Sequence, residues 1–253
     1  MDTAHGALLL LAAFAAGVLN AIAGGGSFLT FPALVFTGLP PIMANATSAV
    51  AVSPGYLGST LGFRAELSAL PRGRLVREGL ICAVGGVGGA LLLLVTPAEV
   101  FSAAVPWLLL FATVLFAFGP RLVAARTRRG SGDMHPTAQA LGLFTVAVYG
   151  GYFNGGLGIL LMALYTLTGE TRVNTANALK NLNSLVLSLL SVAAFAWAGA
   201  IHWPQALMMM VAATAGGFAG ARLALRLPAT AVRAAVVVTG LVMTAAFFAR
   251  QWQ

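Results

Sequence analysis

Ten apolar runs make up most of this chain, and two of them are too short to cross a bilayer. They fall at about residues 6–23, 27–39, 44–63, 79–97 and 101–119, and then at about 137–153, 157–168, 177–200, 205–225 and 231–249. Segments this apolar must face hydrocarbon or one another. Only 8% of the 253 residues are charged and 59% are hydrophobic, so the chain reads as an all-α integral membrane protein whose partner is the lipid bilayer. The runs at 27–39 and 157–168 would reach about 18–20 Å as helices. The hydrocarbon core is about 30 Å thick. The first and second runs of each half are therefore expected either to dip into the membrane and return or to form one broken helix, with glycines at the break.

The five-plus-five pattern repeats in detail. Gly38 and Gly169 each end a short run and lie 131 residues apart, as do GGVGGA (Gly85 to Ala90) and GGFAGA (Gly216 to Ala221), and Pro97 and Pro228. Asn45-Ala46 and Asn177-Ala178 match with one residue inserted. The expected organisation is a first repeat over 1–120, an Arg-rich linker over 121–136 and a second repeat over 137–253. If each short pair returns to its starting side, three crossings remain per half, and consecutive halves are inverted in topology.

Charge tests that orientation. Arg72, Arg74, Arg77, Arg121, Arg126, Arg128, Arg129, Arg222, Arg226 and Arg233 all fall on one face of this scheme, while the loops around 96–101 and 200–205 contain no Arg or Lys. By the positive-inside rule the Arg-rich face is cytoplasmic and both termini are extracytoplasmic. The net charge of +8 is thereby explained without a nucleic-acid partner. The single cysteine, Cys82, excludes an internal disulfide. The first run follows Asp2 with no Lys or Arg before it, and a similar segment recurs mid-chain, so it is expected to stay in the mature protein.

Helix N-termini exposed at glycine breaks present free N–H groups and the positive end of a dipole, which suits an anion. GGGS (Gly24 to Ser27), with Ser27 placed to cap, and NGGLG (Asn154 to Gly158) both precede the short run of their half. Duplicated breaks in corresponding positions point to a transport site. The candidate substrate-binding residues are therefore Gly25, Gly26 and Ser27 in the first break and Asn154, Gly155 and Gly156 in the second. Asn45, Thr47 and Ser48 at the start of run three join them, with Asn177, Lys180 and Asn181 at the start of run eight. Asn177, Asn181, Ser184, Ser188 and Ser191 recur at helical spacing as a polar stripe. Lys180, the only lysine, adjoins it. An ammonium inside a membrane segment marks function, unless Lys180 snorkels to the interface. GGVGGA and GGFAGA read instead as helix-packing surfaces.

No Gly-rich nucleotide loop is present, so no ATPase is expected, and His5, His135 and His202 are scattered, so neither a metal nor a catalytic cluster is expected. No cofactor is implied. Asp2, Glu66, Glu78, Glu99, Asp133 and Glu170 are all placed at or outside segment ends, which favours an anion over a cation in the interior.

At these residues the chain resembles the TauE/SafE-type sulfite and organosulfonate exporter family. The resemblance rests on AGGGS followed by FP, GLP and ANATS in the first half, and on GGLGIL, ANALKN and GAIHW in the second. It covers about Gly17 to Phe248. It implies secondary transport of a small sulfur-containing anion such as sulfite, sulfoacetate or a related sulfonate. A homodimer is compatible with the sequence. A passive anion channel is the alternative within transport, and a membrane-embedded enzyme is the alternative from another class.

Overall fold

The computed structural model describes residues 2–22, 25–128, 135–170, 172–223 and 229–251; Gly24, Arg129, Asp133, Arg226 and Pro228, named above, lie outside them. Every regular element among the described residues is a helix. The first half forms α1 (Thr3–Ile22), α2 (Ser27–Phe36), α3 (Pro41–Gly62), a short α4 (Arg64–Ser68), α5 (Arg72–Val95) and α6 (Ala98–Arg128). The second forms α7 (Pro136–Tyr152), α8 (Leu157–Leu167), α9 (Val173–Trp197), α10 (Trp203–Leu223) and α11 (Ala229–Gln251). Two boundaries differ from expectation. Helix α6 continues to Arg128, so the first half of the expected linker is helical, because Leu122 to Ala125 and the arginines around them favour helix. Helix α4 is too short and polar to appear as an apolar run.

Apolar surface lies outside and polar groups lie inside. Leu11, Val95, Trp107, Trp197 and Val211 are each more than 60% exposed, whereas Thr30, Thr47, Asn183 and Ser184 are fully buried. Four helices, α1, α5, α6 and α9, contain stretches long and apolar enough to cross a membrane. This is a multi-pass membrane protein.

The short helices fold back along the ones before them. A side chain on Gly150 would stand 2.6 Å from Leu157 Cδ1, and one on Gly142 would stand 2.8 Å from Leu164 Cδ1. Gln139 Nε2, in the first turn of α7, donates to the Thr168 carbonyl just past α8, at 3.3 Å. Helices α7 and α8 therefore form an antiparallel hairpin, one of the two forms the run lengths left open. Near the other break Gly26 likewise returns to touch Ala16 and Asn20 of α1.

Both short helices end in the same way. Gly38 (φ +95) and Gly169 (φ +90) adopt left-handed backbone. The next residue closes a six-residue turn, Leu39 N–H to the Leu34 carbonyl and Glu170 N–H to the Tyr165 carbonyl, with the glycine N–H bonded to Val35 or Thr166 inside it. The glycines 131 residues apart thus do the same job, which explains why both are glycine.

The halves interlock. Helix α1 packs on α10 of the second half and α7 packs on α5 of the first; α3 crosses α9 and α6 lies on α11. The α1–α10 and α5–α7 seams are made by backbone. A Cβ at Gly17 would lie 2.0 Å from the Ala213 carbonyl oxygen, one at Gly216 2.0 Å from that of Phe14, and one at Gly89 2.1 Å from that of Val148. The two GG-rich segments are packing surfaces, as the sequence suggested.

Gly88 and Gly89 make a matched test. Nothing lies within 4 Å of a Cβ at Gly88. Gly88→Ala should leave thermal stability in detergent unchanged or raise it by up to about 1 kcal/mol through helix propensity. Gly89→Ala should lower the melting temperature sharply, because its methyl group has to displace the α7 backbone.

Candidate functional site

The first break is built by backbone geometry. Gly25 has φ +94, a conformation that only glycine adopts without strain. Gly26 occupies the N-cap of α2, and no side chain caps the helix. Ser27 is thus the first helical residue and not its cap. The cap is made by carbonyls: Phe28 N–H donates to the Gly25 carbonyl, and Leu29 and Thr30 N–H donate to that of Gly26. The Gly26 N–H itself donates to Asn20 Oδ1 at 2.7 Å. A Cβ at Gly26 would meet the Ala16 carbonyl oxygen at 2.7 Å, so this glycine is needed for contact with α1 and does not border open space.

The second break is buried on all sides. Gly156, at the N-cap of α8, has φ +78, and a Cβ there would lie 3.1 Å from Ala112 Cβ on α6. Phe153 stands edge-on to Phe31 of α2, with centroids 5.5 Å apart. Tyr149 Oη donates to the Gly155 carbonyl at 2.8 Å, and Tyr56 Oη donates to Asn154 Oδ1 at 3.3 Å. Irregular backbone at this depth is viable because protein groups meet its polar atoms.

The polar residues that open α3 hold helices together. Asn45 Nδ2 donates to the Tyr152 carbonyl at 3.1 Å, the His202 N–H donates to Thr47 Oγ1 at 3.0 Å, and Ser48 Oγ lies 2.6 Å from Thr30 Oγ1. They tie α3 to the second hairpin, to the α9–α10 turn and to α2. On α9, Asn177 Nδ2 donates to the Val173 carbonyl of its own helix at 3.1 Å. Asn181 and Ser184 are buried, and Ser184 Oγ has no hydrogen-bond partner. Ser188 Oγ lies 2.8 Å from Ser53 Oγ of α3, and Ser191 Oγ donates to the Gly86 carbonyl at 3.1 Å.

Lys180 is half-buried and lies against the first turn of α8, its Cδ 3.7 Å from where a Cβ on Gly158 would be. Among the described residues it takes part in no ion pair. A cavity of about 400 Å³ opens between α1, α3 and α10, lined by Asn20, Pro54, Gly55, Ser59 and Thr214 among others. Asn20 joins it to the first break. Tyr56, one residue past Gly55, holds the second. The structure thus brings Lys180 to the α8 break and sets both breaks against α3, while Asn45, Thr47 and Ser48 are engaged in bonds between helices.

Asn20, Ser53 and Tyr56 were not singled out from the sequence; each is one polar residue in an apolar run, a signal too common to select. Glu78 corrects the expectation that every acid lies at or outside a segment end. It sits inside α5, only 6% exposed, bonded to Arg74, Tyr165 and Asn183. The preceding arginines made this stretch look like loop, but α5 begins at Arg72.

Over residues 9–247 the chain matches the family described as sulfite exporter TauE/SafE. The chain belongs to the TauE/SafE family. Relatives of this TauE/SafE chain include a probable membrane transporter protein of Haemophilus influenzae, 32% identical over 94% of the chain and 92% of that protein. Another is the probable membrane transporter protein YfcA of Escherichia coli, 30% identical over 94% of the chain and 87% of that protein. A probable membrane transporter protein from Sinorhizobium is 28% identical over 94% of the chain and 90% of its own length. No solved structure matches. The protein is a membrane transporter of the TauE/SafE type, and not an enzyme.

Two substitutions probe the breaks. Gly156→Ala should cost about 1–2 kcal/mol for left-handed backbone, read as a lower unfolding midpoint in detergent. Asn45→Ala should cost about 1–3 kcal/mol, because the Tyr152 carbonyl loses a buried partner.

Proposed function

We propose that this protein is a secondary transporter carrying a small sulfur-containing anion, sulfite, sulfoacetate or a related sulfonate, across the cytoplasmic membrane. The observation that carries the reading is Lys180, an ammonium without an acidic partner among the described residues, beside the first turn of α8. A helix N-terminus and a lysine converging on one place favour an anion, and an oxyanion with several acceptor atoms can use both. Glu78 does not cancel this charge, since Arg74 and two neutral donors already engage it. The family description supports a sulfur oxyanion as the substrate class.

In this reading the two halves are inverted in the membrane. Each hairpin returns to its own side and three helices then cross, with Arg72, Arg74 and Arg77 on the cytoplasmic face and both termini outside. Reporters fused at the N-terminus and after Gln253 should both read as extracytoplasmic. Termini on opposite faces would exclude the arrangement.

Binding is tested on purified protein. Sulfite or sulfoacetate, but not chloride, should raise thermal stability, by about 2.7 kcal/mol at a ligand concentration one hundred times the dissociation constant. Lys180→Met, which keeps most of the stem and removes the charge, should abolish the rise while unfolding at the same ligand-free temperature. An equal rise in the variant would assign Lys180 to interface anchoring. Saturable counterflow in liposomes separates a carrier from a passive channel.

A further inference from the structure

A second cavity, of about 320 Å³, lies between α5, α7 and the end of α8, away from the breaks. Glu78 and Tyr165 line it, and both are buried. Glu78 Oε1 accepts from Arg74 Nε at 2.9 Å, and Oε2 accepts from Tyr165 Oη at 2.7 Å and from Asn183 Nδ2 at 3.2 Å. Arg74 also donates to Glu170 Oε2 at 3.1 Å. Arg77 lines the cavity from α5, Arg172 lies 4.0 Å from Glu170, and Cys82 is buried one turn further along α5. Helix α7 contributes Gln139, Ala140 and Leu143, none of them ionisable.

The matching positions of the other half hold no carboxylate. Subtracting the same 131- and 132-residue spacings leads from Tyr165 and Asn183 to Leu34 and Ala51 in the first half, and adding 131 leads from Glu78 to Met209 in the second. All three counterparts are buried together in one apolar cluster. One end of the molecule fills these positions with hydrocarbon, and the other fills them with an acid, a phenol and an amide. Since replacing a buried ion pair with well-packed apolar residues is often neutral or stabilising, packing alone does not account for the polar set.

The surroundings can meet either protonation state, because Arg74, which pairs with the carboxylate, keeps Glu170 as a partner when the acid is protonated. A phenol can donate to a carboxylate or accept from a carboxylic acid, and an amide offers either function according to which atom faces the acid. The second amide atom, Asn183 Oδ1, is buried without a partner and so is a spare acceptor. The cluster also bears on the anion site. Tyr165 and Gly158 are on one helix, seven residues or about 10 Å apart, so whatever loosens α5 from α8 at Tyr165 acts on the helix whose first turn faces Lys180. Two sites that bias one rigid element are coupled reciprocally.

We propose that Glu78 is a proton-binding site whose occupancy is coupled to anion movement through α8, making this a proton-coupled carrier. The coupling rests on the anion-transport reading above; the proton site does not, and the two are tested separately. Infrared pH titration of the reconstituted protein should show a protonated-carboxyl band that is absent from Glu78→Gln. In Tyr165→Phe, which removes a donor to the carboxylate, its midpoint should move to higher pH. A band that persists in Glu78→Gln, or a midpoint unmoved in Tyr165→Phe, overturns the proton site, and the second variant decides if the first does not fold.

Coupling is then read in liposomes with labelled sulfoacetate, whose sulfonate stays ionised. Imposed pH gradients of opposite sign should give accumulation differing several-fold in wild type and equal in Glu78→Gln, each normalised to its own counterflow. Equal accumulation in wild type, or an unchanged ratio in the variant, overturns the coupling. Absence of counterflow in wild type rejects the substrate reading instead, and leaves the infrared result to decide Glu78.

Discussion

Direct contact between helix backbones along the α1–α10 and α5–α7 seams fixes where the other helices can sit. Lipid gives no hydrophobic drive for one apolar helix to seek another, so association depends on close packing and on the few polar bonds available. Side chains at Gly17, Gly89, Gly151 or Gly216 would collide with backbone across the seam. Because α1 and α7 are held in this way, the short helices that fold back from them are carried into the interior. There Asn45, Ser48, Tyr56 and Tyr149 meet polar atoms that hydrocarbon would leave bare. The breaks are tolerated because the seams place them among partners.

This architecture separates two charged environments. Lys180 lies by the first turn of α8 with no acid as partner among the described residues, while Glu78 lies near the other end of the same helix, fully engaged by donors. The separation keeps the ammonium from being neutralised by the protein's own buried carboxylate. It also gives α8 a different electrostatic contact at each end, unlike α2, whose Leu34, at the position matching Tyr165, is buried in an apolar cluster.

Much of the fold was legible because lipid imposes strong rules on sequence. Apolar runs located the helices, short runs located the hairpins, and the 131-residue spacing paired Gly38 with Gly169 in the same helix-ending turn. The candidate site was less legible. Asn45, Thr47 and Ser48 look alike whether they line a cavity or bond to another helix, and only the partners, up to 155 residues away, decide. Ser27 looked like a cap because serine often is one, but carbonyls and Asn20 had already taken that role. Glu78 was hidden because three arginines near a helix start read as a loop until the helix is seen to begin among them.

The interlocked seams also set an order of assembly. Helix α5 meets its seam partner, α7, after some sixty further residues, but α1 must wait for α10, whose contact glycine is Gly216. Helix α1 is therefore made before α10 but seated only after it. Contacts this distant along the chain form slowly, because loop closure precedes the gain from packing. Until α10 is made, the α1 backbone around Gly17 lacks the partner it meets in the folded chain, and that leaves a small-residue face in the bilayer on which a membrane chaperone or a mistaken neighbour can settle.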